Sequence, residues 1–166
     1  MNYDNTTFEE YEQQCELRRQ ENETYLELFR SSLEMSGLSE QTIKRHLSHV
    51  SFYINTFLLR EEAYEMSIGV SAWMIEEYFE YFFIRKCGWS TPGNMKTTAA
   101  SLKKFYKHMA DLGYVTPEEY QEMCACIKEH MPEWQKDCAL YNARLENARL
   151  NNLVNFLSHH ERKDRW

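Results

Sequence analysis

The chain is poor in residues that break helices, with five glycines and three prolines in 166 residues. That scarcity excludes collagen-like and loop-rich scaffolds. No segment alternates apolar and polar residues with a period of two, which excludes a sheet protein. No run of about 18 apolar residues occurs, which excludes a membrane-spanning helix. Five cysteines, an odd number at irregular spacing, make no disulfide framework. The opening Met1-Asn2-Tyr3-Asp4 is polar and acidic, unlike a secretory leader. These features predict reduced thiols and a cytoplasmic protein. A P-loop, a Gly-rich dinucleotide turn, a nucleophile elbow and a metalloprotease helix are all missing, and no carboxylate pair is framed by apolar neighbours. The sequence therefore predicts no enzyme, no catalytic residue and no cofactor.

What is present is aromatic: eleven Tyr, nine Phe and four Trp. That is ample material for one buried core in a chain of this length. The apolar residues recur at helical spacing, so the expected class is all-α. A first packed helix is predicted over 23–35 with Tyr25, Leu26, Phe29 and Leu33 inward, stopped by Gly37. Ser39 caps a second helix carrying Ile43, Leu47, Val50, Ile54, Phe57 and Leu58, ending near Arg60. A looser acidic segment leads to Ser71 and a third helix, Ala72 to Arg85. That helix is apolar nearly all round and reads as central. Thr91, with Pro92 at the first helical position, opens a fourth helix with Met95, Ala99, Leu102, Tyr106 and Met109 on one face. Gly113 closes it. Thr116-Pro117-Glu118-Glu119 is a capping box that starts a fifth helix to about His130. Pro132 restarts a sixth, and the tail from Asp137 to His160 reads as an appended helix.

Charge is unevenly distributed. The net charge is -7, yet residues 85–110 hold six Lys/Arg and no Asp or Glu. Residues 36–60 sum to +2, whereas 1–35, 61–84 and 111–141 sum to -6, -6 and -5. Opposite the apolar stripe of the fourth helix, Lys96, Ala100, Lys103 and Lys107 form an outer row, with Thr97, Ser101, Lys104 and His108 beside it. Lysines interleaved with small hydroxyl residues suit contact with a phosphate backbone. A merely solvated helix face gives the same pattern. Arg85, Lys86, Trp89, Ser90 and the helix-start amides would add donors at the positive end of the helix dipole. The second helix adds Lys44, Arg45, Ser48 and His49. His46 and His49, one turn apart, have no third ligand in sequence. Cys124-x-Cys126 with His130 has the look of a ligand set, but positions two apart on a helix face opposite ways and both cysteines read as core, so no metal site is predicted.

Two segments together carry a resemblance. These are Leu28-Phe29 … Gly37-Leu38-Ser39-Glu40-Gln41-Thr42-Ile43 … His49-Val50 … Phe52 and Ala99-Ala100-Ser101-Leu102-Lys103-Lys104-Phe105-Tyr106-Lys107-His108-Met109 … Leu112-Gly113. Their order and spacing resemble the N-terminal SAM-like, core-binding domain of tyrosine recombinases (phage integrases). The resemblance implies an orthogonal four-helix bundle over 22–115, flanked by a charged helical extension over 1–21 and a C-terminal helical extension over 116–166. It implies a double-stranded DNA partner met by the second and fourth helices. The contacts would be Thr42, Lys44, Arg45 and His49, and Ser90, Thr91, Asn94, Lys96, Thr97, Lys103, Lys104 and Lys107. The family's catalytic domain has no counterpart here, since the residues after Gly113 are too few and read as helices. The expected function is thus a non-catalytic DNA-binding module. The alternative is a protein-interaction or self-association module, with a recombinase or a second copy held through the tail stripe Leu150, Leu153, Val154 and Leu157.

Overall fold

The computed structural model describes residues 7–163, and these are all-α, with no strand among them. Helix α1 spans Phe8–Met35. Helix α2 spans Glu40–Phe52 and continues as a π-helical turn over Tyr53–Phe57. A short 3-10 turn, Met66–Val70, leads into α3, which runs Ala72–Glu76, widens to a π turn over Glu77–Phe82 and tightens again over Phe83–Lys86. Helix α4 spans Pro92–Asp111 and α5 spans Pro117–Lys163.

The chain ends its helices where local chemistry dictates. Ser39 and Thr91 accept the backbone N–H groups of Thr42 and Asn94. Thr116 and Glu119 cap each other reciprocally. Gly37 and Gly113 take φ of 74° and 83°, a left-handed turn that disfavours any side chain.

Two expected boundaries are not there. Helix α1 begins at Phe8 rather than near Glu23, launched by a Thr7–Glu10 capping box. It runs unbroken past residues 21 and 22. Its inward positions are Tyr11, Cys15, Arg18 and Asn22, a helical spacing filled with polar or small groups rather than large apolar ones. Tyr11 and Arg18 donate to the carbonyls of Leu59 and Ala63. Asn22 is buried and donates to the Ile54 carbonyl at 3.3 Å and to Asn55 Oδ1 at 2.8 Å. The predicted fifth helix, sixth helix and tail are likewise one helix. Pro132 lies inside it and is exposed. Proline removes one N–H, but Lys128, whose carbonyl loses that donor, is also on the wet side, where water replaces it.

The core is aromatic where the two π turns meet. Tyr53 from α2 meets Tyr78 from α3 edge to face at 4.9 Å, Phe57 meets the same ring tilted at 4.8 Å, and Phe57 meets Phe82 at 5.1 Å. Each π turn widens the helix at the level of the other. Phe29 of α1 packs on Phe105 of α4, and Trp134 of α5 stacks on Phe79 of α3. The expected inward residues of α4, Met95, Ala99, Leu102, Tyr106 and Met109, are all buried. Tyr53 and Tyr106 donate to the carbonyls of Gly69 and Met66, tying the 3-10 turn to the core.

Candidate nucleic-acid interface

Helices α2 and α4 pack side by side, and the seam between them is polar. Ser101, on the α2 side of α4, is fully buried. Its hydroxyl lies 2.7 Å from His46 Nδ1, 2.8 Å from His49 Nδ1 and 3.2 Å from the Thr97 carbonyl. Three polar groups from two helices thus converge on one oxygen. Burial depresses the pKa of both imidazoles. Arg45 and Lys104 lower that of His46 further, and His46 and Arg45 lower that of His49. The seam is therefore flanked by a cation from each helix, Arg45 and Lys104.

The other expected contacts divide into groups. Lys44, Arg45, Lys96 and Lys104 are exposed and Lys103 is half-buried; among the described residues none of them forms an ion pair. Lys107 is held by Asp111, one turn on, at 2.7 Å. Lys44 borders the α1 side, beside Glu27 and Arg30. The small polar residues are engaged locally. Thr42 pairs with Ser39, Thr91 caps α4, Asn94 donates to the Trp89 carbonyl and Thr97 donates to the Asn94 carbonyl.

Two residues do not share the α2–α4 face. Ser90 is buried, at 4% exposure, because α5 clamps its turn: Asn142 donates to the Ser90 carbonyl and Gln135 to the Pro92 carbonyl. Arg85 sits over the rings of Tyr81 and Tyr141, bordering a hollow lined by Glu77, Glu80 and Asp137. Lys86 is exposed at the end of α3. The basic run of 85–110 is thus split, and within its α4 part Lys104 lies near enough to α2 to act on His46.

At one end of the seam lies a cavity of about 220 Å³ lined by Ser48, His49, Phe52, Tyr78, Trp89 and Thr98. Phe52 and Trp89 meet edge to face at 5.6 Å. The hydroxyls of Tyr78 and Thr98 are buried without a hydrogen-bond partner among the described residues. The sequence pointed to Trp89 but not to this cavity, whose walls come from three helices and a turn.

Sequence reasoning also missed a convergence on the far side of the bundle. Cys126 and His130, one turn apart on α5, meet Glu76 of α3. Only the i, i+4 spacing of the first two is visible in sequence. No helix among the described residues is long and apolar enough to cross a membrane. No protein family, curated protein or solved structure matches this chain.

Proposed function

We propose that the protein is a non-catalytic module that binds duplex DNA through the face shared by α2 and α4. The observation that carries this reading is a pair of cations, unbridged among the described residues, across two helices: Arg45 on α2 and Lys104 on α4, with Lys96 and Lys103 before it on α4. Cations held at fixed spacing on rigid helices can follow a phosphate backbone, and the Ser101 seam fixes that spacing. The resemblance of Gly37–Phe52 and Ala99–Gly113 to recombinase core-binding segments favours the same face. Mobility-shift titration of mixed-sequence duplex at low salt tests it. The wild-type chain shifts the duplex, and Lys103→Glu with Lys104→Glu and Lys107→Glu abolishes the shift. Failure of the wild-type protein to retard any duplex at micromolar concentration would overturn it.

A second reading, self-association, rests on α5. From Ala143 to Leu157 every residue is exposed; Leu145, Glu146 and Arg149 still border the turn at Gly88 and Thr91, and the stretch after them carries only exposed residues to Leu157. Leu150, Leu153, Val154 and Leu157 form a bare stripe on it, each more than half exposed. Such a stripe suits a second copy of the same helix. The two readings are compatible, since a dimer would carry two basic faces.

A further inference from the structure

We infer that Glu76, Cys126 and His130 form a binding site for a divalent transition-metal ion of the zinc class, clamping α5 to α3. One carboxylate oxygen, the thiol sulfur and one imidazole nitrogen all lie within 4.8 Å of one another. Cys126 Sγ is 3.6 Å from Glu76 Oε1 and 3.8 Å from His130 Nδ1. Zinc bonds to sulfur, nitrogen and oxygen set a tetrahedral edge of about 3.6 Å, so the side chains already span two edges. A soft thiolate, an imidazole and a carboxylate match zinc and cobalt better than calcium or magnesium, which take all-oxygen shells.

The surroundings hold these groups in place. Cys126 and His130 stand one turn apart on the same face of α5, and Glu76 comes from the last α-helical turn of α3 before its π turn. The imidazole stacks on Trp134 at 5.5 Å, and Trp134 stacks in turn on Phe79 at 5.4 Å. Without metal, His130 Nδ1 lies 3.0 Å from the Cys126 carbonyl, and the tautomer with its proton on Nε2 frees Nδ1 for the ion with the ring where it stands. Burial and the Glu76 carboxylate push the Cys126 thiol up to about 11, so the free thiol is protonated and unreactive at neutral pH. A bound dication displaces that proton to solvent, releasing one proton per ion. The resulting thiolate and the carboxylate neutralise the dication. Three protein ligands leave a fourth position for water. Cys126 is buried, while Glu76 and His130 are half-buried and leave a path from solvent. The site lies between α3 and α5, apart from the α2–α4 face, so it stands or falls independently of DNA binding.

Cobalt(II) titration of the full, thiol-reduced chain tests the proposal. The expected result is one equivalent bound, with tetrahedral d–d bands and a thiolate-to-cobalt charge-transfer band that zinc bleaches. Cys126→Ser removes the charge-transfer band. Glu76→Gln and His130→Gln, both at half-buried positions, weaken binding by about tenfold or more, while Cys124→Ser changes nothing. Wild-type protein that gives no tetrahedral spectrum overturns the proposal. A charge-transfer band that survives in Cys126→Ser, or is lost in Cys124→Ser, also overturns it.

Discussion

Replacing Ser101 with alanine tests the joint that sets the spacing of the basic face. The hydroxyl serves His46 Nδ1 and His49 Nδ1 at once. His46 is 6% exposed, so its orphaned nitrogen gains no water, at a cost of about 1–3 kcal/mol. His49 is half-buried and recovers a solvent partner. Alanine is the better helix former, which returns up to about 0.5 kcal/mol. The net loss is about 1–2 kcal/mol, or a fall in Tm of about 2–8 °C for a chain of this size. Acid adds a second arm. Both imidazoles have pKa values below the ordinary 6.5, through burial first and neighbouring cations second. Between the folded value and 6.5 the unfolded chain binds more protons than the folded one. Their contribution to stability is therefore whole above pH 6.5 and drains away as the pH falls below it. Urea midpoints of wild-type and Ser101→Ala at pH about 7.5 and about 5.5 measure both arms. A variant as stable as wild type at the higher pH, or a wild-type stability flat between the two, refutes the reasoning.

The remaining predictions concern packing and assembly. A Cβ at Gly69 would overlap the Tyr106 hydroxyl, the Tyr53 ring and Leu58, all buried. Gly69→Ala should therefore cost about 3 kcal/mol or more in urea unfolding, and a loss below about 1 kcal/mol contradicts that close approach. Leu150→Asp with Leu153→Asp and Leu157→Asp should convert a self-associated chain to monomer by light-scattering mass with its thermal stability kept, since all three side chains are exposed. A wild-type chain that is already monomeric at high concentration contradicts the self-association reading.

Much of the fold was legible because its signals are local. Ser39, Thr91, Thr116, Gly37 and Gly113 announce helix ends through bonds within four residues, and all five do so in the structure. The Thr7–Glu10 box was equally local, but the polar inward residues Arg18 and Asn22 hid the continuity of α1. Pro132 misled for the opposite reason: it reads as a break, yet exposure makes the missing hydrogen bond cheap. At the seam, helical phase placed Ser101 on the outer rows of α4, and only the packing of α2 shows it buried. The Glu76–Cys126–His130 cluster joins residues about fifty positions apart, which no local pattern encodes.

The central claim is that α2 and α4 present cations to duplex DNA. Leaving aside Lys44, which borders Glu27 and Arg30 of α1, four of them, Arg45, Lys96, Lys103 and Lys104, are unbridged among the described residues. Each phosphate contact contributes about -0.9 to the slope of log K against log salt, so the predicted slope is about -3 to -4. Affinity should then fall on the order of a hundredfold between about 50 and about 200 mM salt. Fluorescence anisotropy of a labelled duplex across that range measures the slope directly. A slope of about -3 to -4 that becomes shallower by about 0.9 in Lys104→Gln is the predicted result. Binding without salt dependence, or no binding at the lowest salt, would contradict it.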